Sequence, residues 1–182
     1  PTSIKEDYRK ELDVVYNEIS TNADSYLAIG EIGLDYYWDT TFAHEQQAAL
    51  ITQIEWANKY QKPVALHVRN AYTEMFEVLE KHSVDRRGVL HCFSGTLSDA
   101  KRAVDMGYML GIGGVVTFKK SALAEVVKSM RLEDLVVETD APYLTPTPHR
   151  GTRNESSYVR FVAEKIAELK GVSYEEVAEQ TT

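Results

Sequence analysis

Four stretches of the chain run through apolar residues and stop on a side chain able to bind a metal ion: LAIGE at Glu31, VALH at His67, VLH at His91 and LVVETD at Asp140. Carboxylates and neutral imidazoles are the donors that zinc-like and harder divalent ions take. Such ions acidify water and polarise phosphoryl or carbonyl oxygens, which is the chemistry of hydrolysis. A parallel β-strand buried on both faces reads as an unbroken apolar run, and enzymes built from such strands work at the carboxyl ends, where strand gives way to loop. The four strand tips are therefore expected to point at one place.

Each residue also has a plainer reading. Glu31 lies between Ile29 and Ile32 and is flanked by Gly30 and Gly33, where a charge is costly unless paired or metal-bound. It is either half of a buried ion pair with Arg or Lys, or a carboxylate shared by two ions. A lone strand histidine reads as a hydrogen-bonded core residue, but two at matching strand ends read as ligands. Asp140 precedes Ala141-Pro142, which suits it to hold a metal and accept a proton from water. Glu138 points to the same face, and either acid could instead be a helix cap or loop carboxylate. Asp140 is preferred as the ligand because it lies nearer the strand exit. Cys92 follows His91, so strand alternation should turn it away from the site as a small buried hydrophobe. Gly111-Ile112-Gly113-Gly114 lacks a P-loop lysine and the dinucleotide spacing, which leaves close backbone packing as its reason.

Cations gather near these tips: Arg69 after His67, Lys119-Lys120 after the fourth strand, and Arg150 and Arg153 in the segment HRGTRN. Guanidinium groups suit phosphate oxygens, and Tyr36, Tyr37 and Trp38 beside Glu31 could stack on bases. The plainer alternative is a solvated charged loop and a few core aromatics.

The elements that must position these groups alternate in type. The pattern predicts a helix to about residue 20, opened by a Ser3–Glu6 capping box and carrying Leu12, Val15, Tyr16 and Ile19. Strand 27–33 then leads to a helix over 42–60 that buries Leu50, Ile54 and Ala57 and is stopped by Gln61-Lys62-Pro63. Strand 63–68 precedes helix 71–81, with Met75, Phe76 and Leu79 inward, and strand 88–93 precedes helix 98–106, capped by Ser98 and Gly107. Strand 108–114, helix 121–130, strand 135–140, a loop holding Pro142, Pro146 and Pro148, helix 156–170 and a short helix capped by Ser173 and Glu176 complete the chain. Five strands alternating with helices mark βαβ units of an α/β protein with a parallel sheet. Five do not close a (β/α)8 barrel, and the first element is a helix. The expectation is a TIM-type (β/α)8 barrel of which the chain supplies about the last five β/α units.

Composition narrows the partners. The 182 residues, 43% of them hydrophobic, suit one packed domain over 1–182. A formal charge of -8 provides no global field to attract nucleic acid or an anionic membrane, so any phosphate-binding surface must be local. The single cysteine, Cys92, leaves no internal disulfide and no Cys-rich zinc site. No apolar stretch reaches the roughly 18 to 20 residues of a membrane span, and the opening PTSIKEDYRKEL is charged where a signal peptide would be greasy. A soluble cytoplasmic protein without membrane partners is expected.

The segments AIGEIGLDYY, PVALHVRNAY, GVLHCFSG, GIGGVVTFK, VVETDAPYLTP and RGTRNESSYV, in this order, resemble the TatD family of metal-dependent deoxyribonucleases in the amidohydrolase superfamily. The resemblance covers nearly the whole chain and implies a (β/α)8 barrel holding two divalent ions (Zn, Mg or Mn). In that scheme Glu31 bridges both ions, His67 and His91 hold one, and Asp140 holds the other. It further implies that the chain lacks the family's first three strands, and with them the His-x-His pair that completes the second ion's ligands. The other histidines, His44, His82 and His149, fall in helical or loop contexts. Asn154-Glu155-Ser156-Ser157 stands where the family usually has proline after Asn-Glu, and EQTT ends where relatives continue.

The implied activity is hydrolysis of DNA phosphodiester bonds by metal-activated water, with Asp140 taking the proton and Glu31 holding the ions. Arg69, Arg150 and Arg153 would bind neighbouring phosphates, and Tyr36 and its aromatic loop a terminal base, which suits 3'-5' exonuclease action on single-stranded ends. One rival is an amidohydrolase acting on a small ester, lactone or amide, since the same fold supports those reactions by loop variation. Another is a truncated, inactive scaffold whose open sheet edges invite a second chain.

Overall fold

The computed structural model describes residues 1–181. The chain divides into two compact units, Pro1–Val89 and Leu90–Thr182.

In the first unit the order is α1 (Tyr8–Asn22), β1 (Ile29–Asp35), α2 (Ala43–Lys59), β2 (Val64–Arg69) and α3 (Tyr72–Lys81). β1 and β2 pair in parallel, as the βαβ pattern requires. The predicted inner faces of the helices are buried: Leu50, Ile54 and Ala57 on α2, and Met75, Phe76 and Leu79 on α3. Each fully buried side chain of this size contributes about 1.5–3 kcal/mol. On β2, Val64, Leu66 and Val68 are buried while Ala65, His67 and Arg69 are half-buried on the opposite face, the period of two that a strand imposes. His67 and Arg69 thus share one face. α1 packs on α2, where Tyr16 lies 5.3 Å from Trp56 and Lys59 Nζ donates to Tyr16 Oη over 2.7 Å. The expected Ser3–Glu6 capping box does not form, because α1 begins at Tyr8 behind Asp7 with no side-chain cap.

The second unit takes in most of β3 (Val89–His91), then α4 (Leu97–Asp105), β4 (Met109–Ile112), α5 (Leu123–Ser129), β5 (Leu135–Val137), α6 (Val159–Lys170) and α7 (Tyr174–Gln180). Its strands follow the order β3-β4-β5, with β4 and β5 parallel. α4 is capped by Thr96 rather than Ser98: the Thr96 side chain accepts from the Asp99 N–H and the Asp99 carboxylate accepts from the Thr96 N–H. α6 closes on Gly171 in the left-handed region, and Ser173 caps α7 by accepting from the Glu176 N–H at 3.1 Å, as its sequence predicts. β3 and β5 are shorter than the apolar runs suggested. Cys92 at φ 47 and Asp140 at φ 54 leave extended geometry, so neither run continues as a strand to its end. No described helix is long and apolar enough to cross a membrane.

Candidate metal centre

In the first unit the site is built around His67. Its Nε2 lies 2.8 Å from Asp35 Oδ2, and its Nδ1 lies 3.9 Å from Glu31 Oε2. Strand β1 does not end at Gly33, as expected, but runs on to Asp35. Glu31 is the extra residue of a bulge: Gly30 pairs with Ala65 and Ile32 with Leu66, so the register shifts at Glu31. A bulge re-aims a side chain, and it brings the Glu31 carboxylate out, half-exposed at 50%, beside His67. At that exposure Glu31 is not the buried carboxylate considered from sequence.

Asp35 is the true tip of β1 and is almost fully buried. Its Oδ1 accepts the Tyr37 N–H at 3.0 Å, and its main chain is gripped by Gln46, which accepts from the Asp35 N–H at 2.8 Å and donates to its carbonyl at 3.1 Å. A carboxylate so held is placed to accept an N–H at His67 Nε2, which turns Nδ1 toward Glu31. Histidine ligands of metals are oriented by such a carboxylate on the second ring nitrogen.

The second unit repeats the device with the ring reversed. His91 Nδ1 lies 3.0 Å from Glu138 Oε2, and its Nε2 lies 3.4 Å from Asp140 Oδ1. Glu138 also accepts the Cys92 N–H at 2.6 Å through Oε1. Because β4 lies between β3 and β5, Glu138 must reach across it, a span of roughly 9.6 Å at ordinary strand spacing. The residue it crosses is Gly111, where an added Cβ would stand 2.6 Å from Glu138 Oε2. That is the reason for the glycine, and it realises the close packing expected of GIGG.

Asp140 is held from behind. Its carbonyl accepts the Tyr143 N–H at 2.8 Å, and the buried Asn154 donates through Nδ2 to the carbonyls of Thr139 at 2.7 Å and Tyr143 at 2.5 Å. Each unit thus offers an oriented imidazole beside a partly exposed carboxylate, a nitrogen and oxygen donor set that fits a divalent ion of the zinc, manganese or magnesium type.

Residues 1–182 match the family described as TatD related DNase. The chain belongs to the TatD family. Among its relatives, a protein of Bacillus subtilis named as the uncharacterized metal-dependent hydrolase YabD is 42% identical over 161 residues, covering 87% of this chain and 63% of its own length. YcfH of Escherichia coli, named likewise, is 40% identical over 161 residues, 87% of this chain and 61% of its own. The crystal structure of YjjV, a TatD homologue from Escherichia coli, superposes with a TM-score of 0.88 at 32% identity over 93% of this chain and 66% of its own. A TatD family hydrolase from Entamoeba histolytica, 24% identical, has a TM-score of 0.81 over 97% of this chain and 66% of its own, and shows the fold alone. The chain spans 61 to 63% of the length of these curated relatives.

The remaining candidates from sequence are placed as follows. Arg69 stands over the Tyr37 ring at 3.6 Å and near Trp38 at 5.7 Å. The Tyr36 hydroxyl is held within the fold, accepting from Gln47 at 3.0 Å; burial pushes its pKa up, the Gln47 bond opposes this, and the Glu74 charge adds to it. Arg150 stacks on Phe118 at 3.8 Å and donates to the Thr145 carbonyl at 3.0 Å, so it braces its own loop. Arg153 is exposed. His149 stacks on Tyr158 at 4.4 Å and 11°, an aromatic packing role. Cys92 is half-buried, and its φ of 47 ends the strand alternation on which its expected orientation relied. The TatD residues that the sequence reading missed are Asp35, Gln46 and Asn154, together with the service of Glu138 to His91. For Asp35 a signal existed: the run broken at Glu31 resumes as Ile32-Gly33-Leu34 and ends a second time on an acid.

Proposed function

We propose that this chain carries catalytic residues of a divalent-metal-dependent hydrolase that cleaves DNA phosphodiester bonds, acting as a 3'-5' exonuclease on single-stranded ends. The observation that carries the reading is the clasping of both strand-end histidines between two carboxylates, one buried or half-buried and one more exposed. The ligands assigned are Glu31 and His67 in the first unit and His91 and Asp140 in the second, for two ions. When bound, such ions polarise a phosphate oxygen and lower the pKa of water toward neutrality. Asp35 and Glu138 orient the imidazoles, Asp140 accepts a proton from the attacking water, and Arg69 and Arg153 neutralise phosphates flanking the scissile bond.

The test is a 5'-labelled single-stranded oligonucleotide incubated with the chain and Mg²⁺, Mn²⁺ or Zn²⁺, beside a panel of neutral esters, lactones and amides. The expected outcome is metal-dependent shortening from the 3' end, abolished by chelator and by Glu31→Ala or His67→Ala, with binding that weakens linearly in log salt. Turnover of a neutral ester in place of DNA would move the assignment to the amidohydrolase alternative. A folded chain that takes up no divalent ion would overturn both and leave a scaffold.

A further inference from the structure

Two large aromatic side chains at the tip of β1 are exposed to solvent, Trp38 at 77% and Tyr37 at 48%. Their rings meet edge to face, with centroids 4.6 Å apart at 90°, and the Arg69 guanidinium lies against Tyr37 at 3.6 Å. This pair is anchored. The Tyr37 N–H bonds Asp35 Oδ1 at 3.0 Å, and Oδ2 of the same carboxylate holds His67 Nε2 at 2.8 Å. One buried acid therefore fixes both a candidate metal ligand and the aromatic pair. Arg69, two residues beyond His67 on the same face of β2, stands about 6.6 Å farther along the strand.

A cleft of about 230 Å³ opens beside this tip, lined by Asp35, Trp38, Phe42 and Gln46, with Lys5 among its walls. That volume is below the roughly 300–1,000 Å³ of sites that enclose a drug-sized ligand, and suits a single ring system. Lys5 faces the Asp39 carboxylate in the same wall, which leaves a π face, the Arg69 guanidinium and a ring-sized recess for a base with its phosphate: stacking accepts any base, and the guanidinium takes the phosphate.

We infer that Trp38, seated through Tyr37 on Arg69, is the stacking platform for the terminal nucleobase of a single-stranded DNA end. The inference rests on the nuclease reading above and names the subsite through which it would hold its substrate. Trp38 is then a substrate-binding residue that touches the base and not the scissile bond.

The chain has two tryptophans, so Trp56→Phe leaves Trp38 as the sole indole reporter. Binding is followed in EDTA, where no cleavage intervenes, with an oligothymidylate and an abasic oligomer of equal length and charge. The oligothymidylate is expected to quench Trp38 fluorescence saturably and to bind roughly ten-fold more tightly than the abasic oligomer, the scale of one base–aromatic stack. Trp38→Ala, followed by anisotropy of labelled oligomers, should bring the two affinities together, and Trp38→Phe should restore most of the gap. Circular dichroism checks that the variants remain folded. Equal affinities in the parent chain, discrimination that survives Trp38→Ala, or no binding of either oligomer would overturn the inference. With divalent metal added, hydrolysis that treats both oligomers alike sinks the platform and leaves the nuclease reading standing. Base discrimination through Trp38 without DNA hydrolysis sinks that reading and leaves the platform.

Discussion

Gly111→Ala reaches the His91 half of the site without touching a residue that does chemistry. The new Cβ would stand 2.6 Å from Glu138 Oε2, 3.0 Å from its Cδ and 3.1 Å from the Leu90 carbonyl, against the 3.4 Å at which ordinary contact begins. The backbone oxygen is fixed in the sheet, so the carboxylate must retreat. In doing so it stretches its bonds to the Cys92 N–H at 2.6 Å and to His91 Nδ1 at 3.0 Å. Overpacking of this kind costs about 1–3 kcal/mol of stability. Losing the carboxylate that orients a histidine ligand lowers metal affinity roughly 10- to 100-fold. Gly113→Ala is the control, since its Cβ would come no nearer than 3.6 Å to Glu138 Oε1 at a backbone φ of -105° that any residue adopts. That variant should match the parent within about 0.5 kcal/mol and keep its metal affinity. Urea denaturation and zinc titration against a chromophoric chelator read both quantities. If Gly111→Ala took up zinc as the parent does, or if Gly113→Ala did equal harm, Glu138 would not be what holds His91.

Three further outcomes follow from the geometry. In the metal-free protein, ¹⁵N spectra of the neutral imidazoles should show His67 protonated at Nε2 and His91 at Nδ1; the same tautomer at both positions would contradict the assigned partners. Thr96→Ala should cost about 1 kcal/mol through loss of the capping box on α4, whereas Ser98→Ala should change the urea midpoint little. The bidentate bond from Arg131, at 3.0 and 2.8 Å, holds the Asp134 carboxyl below its ordinary pKa. Its stabilising effect is therefore full above the unfolded value of about 3.9 and is lost as pH falls through the lower folded value. Asp134→Asn should then be less stable than the parent near pH 7 and converge with it in strong acid, as urea midpoints across that range would show.

The parts of the fold that could be read in the sequence were those with a period. The 3.6-residue spacing of Leu50, Ile54 and Ala57 and of Met75, Phe76 and Leu79 located α2 and α3 with their buried faces, because nothing in those segments competes with the pattern. Histidines closing apolar runs located β2 to within two residues of its end at Arg69 and β3 at its end, and alternation puts His67 on the face opposite Val64, Leu66 and Val68. What failed was local. Ser98 looked like a cap, yet only Thr96 has an acid three residues on, at Asp99, able to return the bond. The bulge at Glu31 is a change of register with no compositional mark beyond its flanking glycines. Asp35 was passed over because the strand was taken to end at Gly33, which put Asp35 in the loop that follows. The reach of Glu138 across β4 depends on strand order, which the chain does not spell out, although a buried-strand glycine opposite an acid-bearing run is a sign that can be sought elsewhere.

In each unit the candidate ligands sit where regular β-structure breaks. Glu31 occupies a bulge, and the residue after His91 and Asp140 itself lie at φ 47 and 54, a region that costs a non-glycine residue on the order of 1–3 kcal/mol. Such conformations persist only where the surroundings over-determine them, and here the restraints are identifiable. The Cys92 N–H is taken by Glu138, while the Asp140 carbonyl is taken by Tyr143, and Asn154 ties the flanking carbonyls together. Extended geometry would keep Asp140 on the face of Glu138 but carry it about 6.6 Å farther along the strand. The candidate donors His91 and Asp140 are therefore aimed by Glu138 and Asn154, and Asn154→Ala should weaken zinc uptake in the same chelator titration; unchanged uptake would show that Asn154 does not hold Asp140 in place.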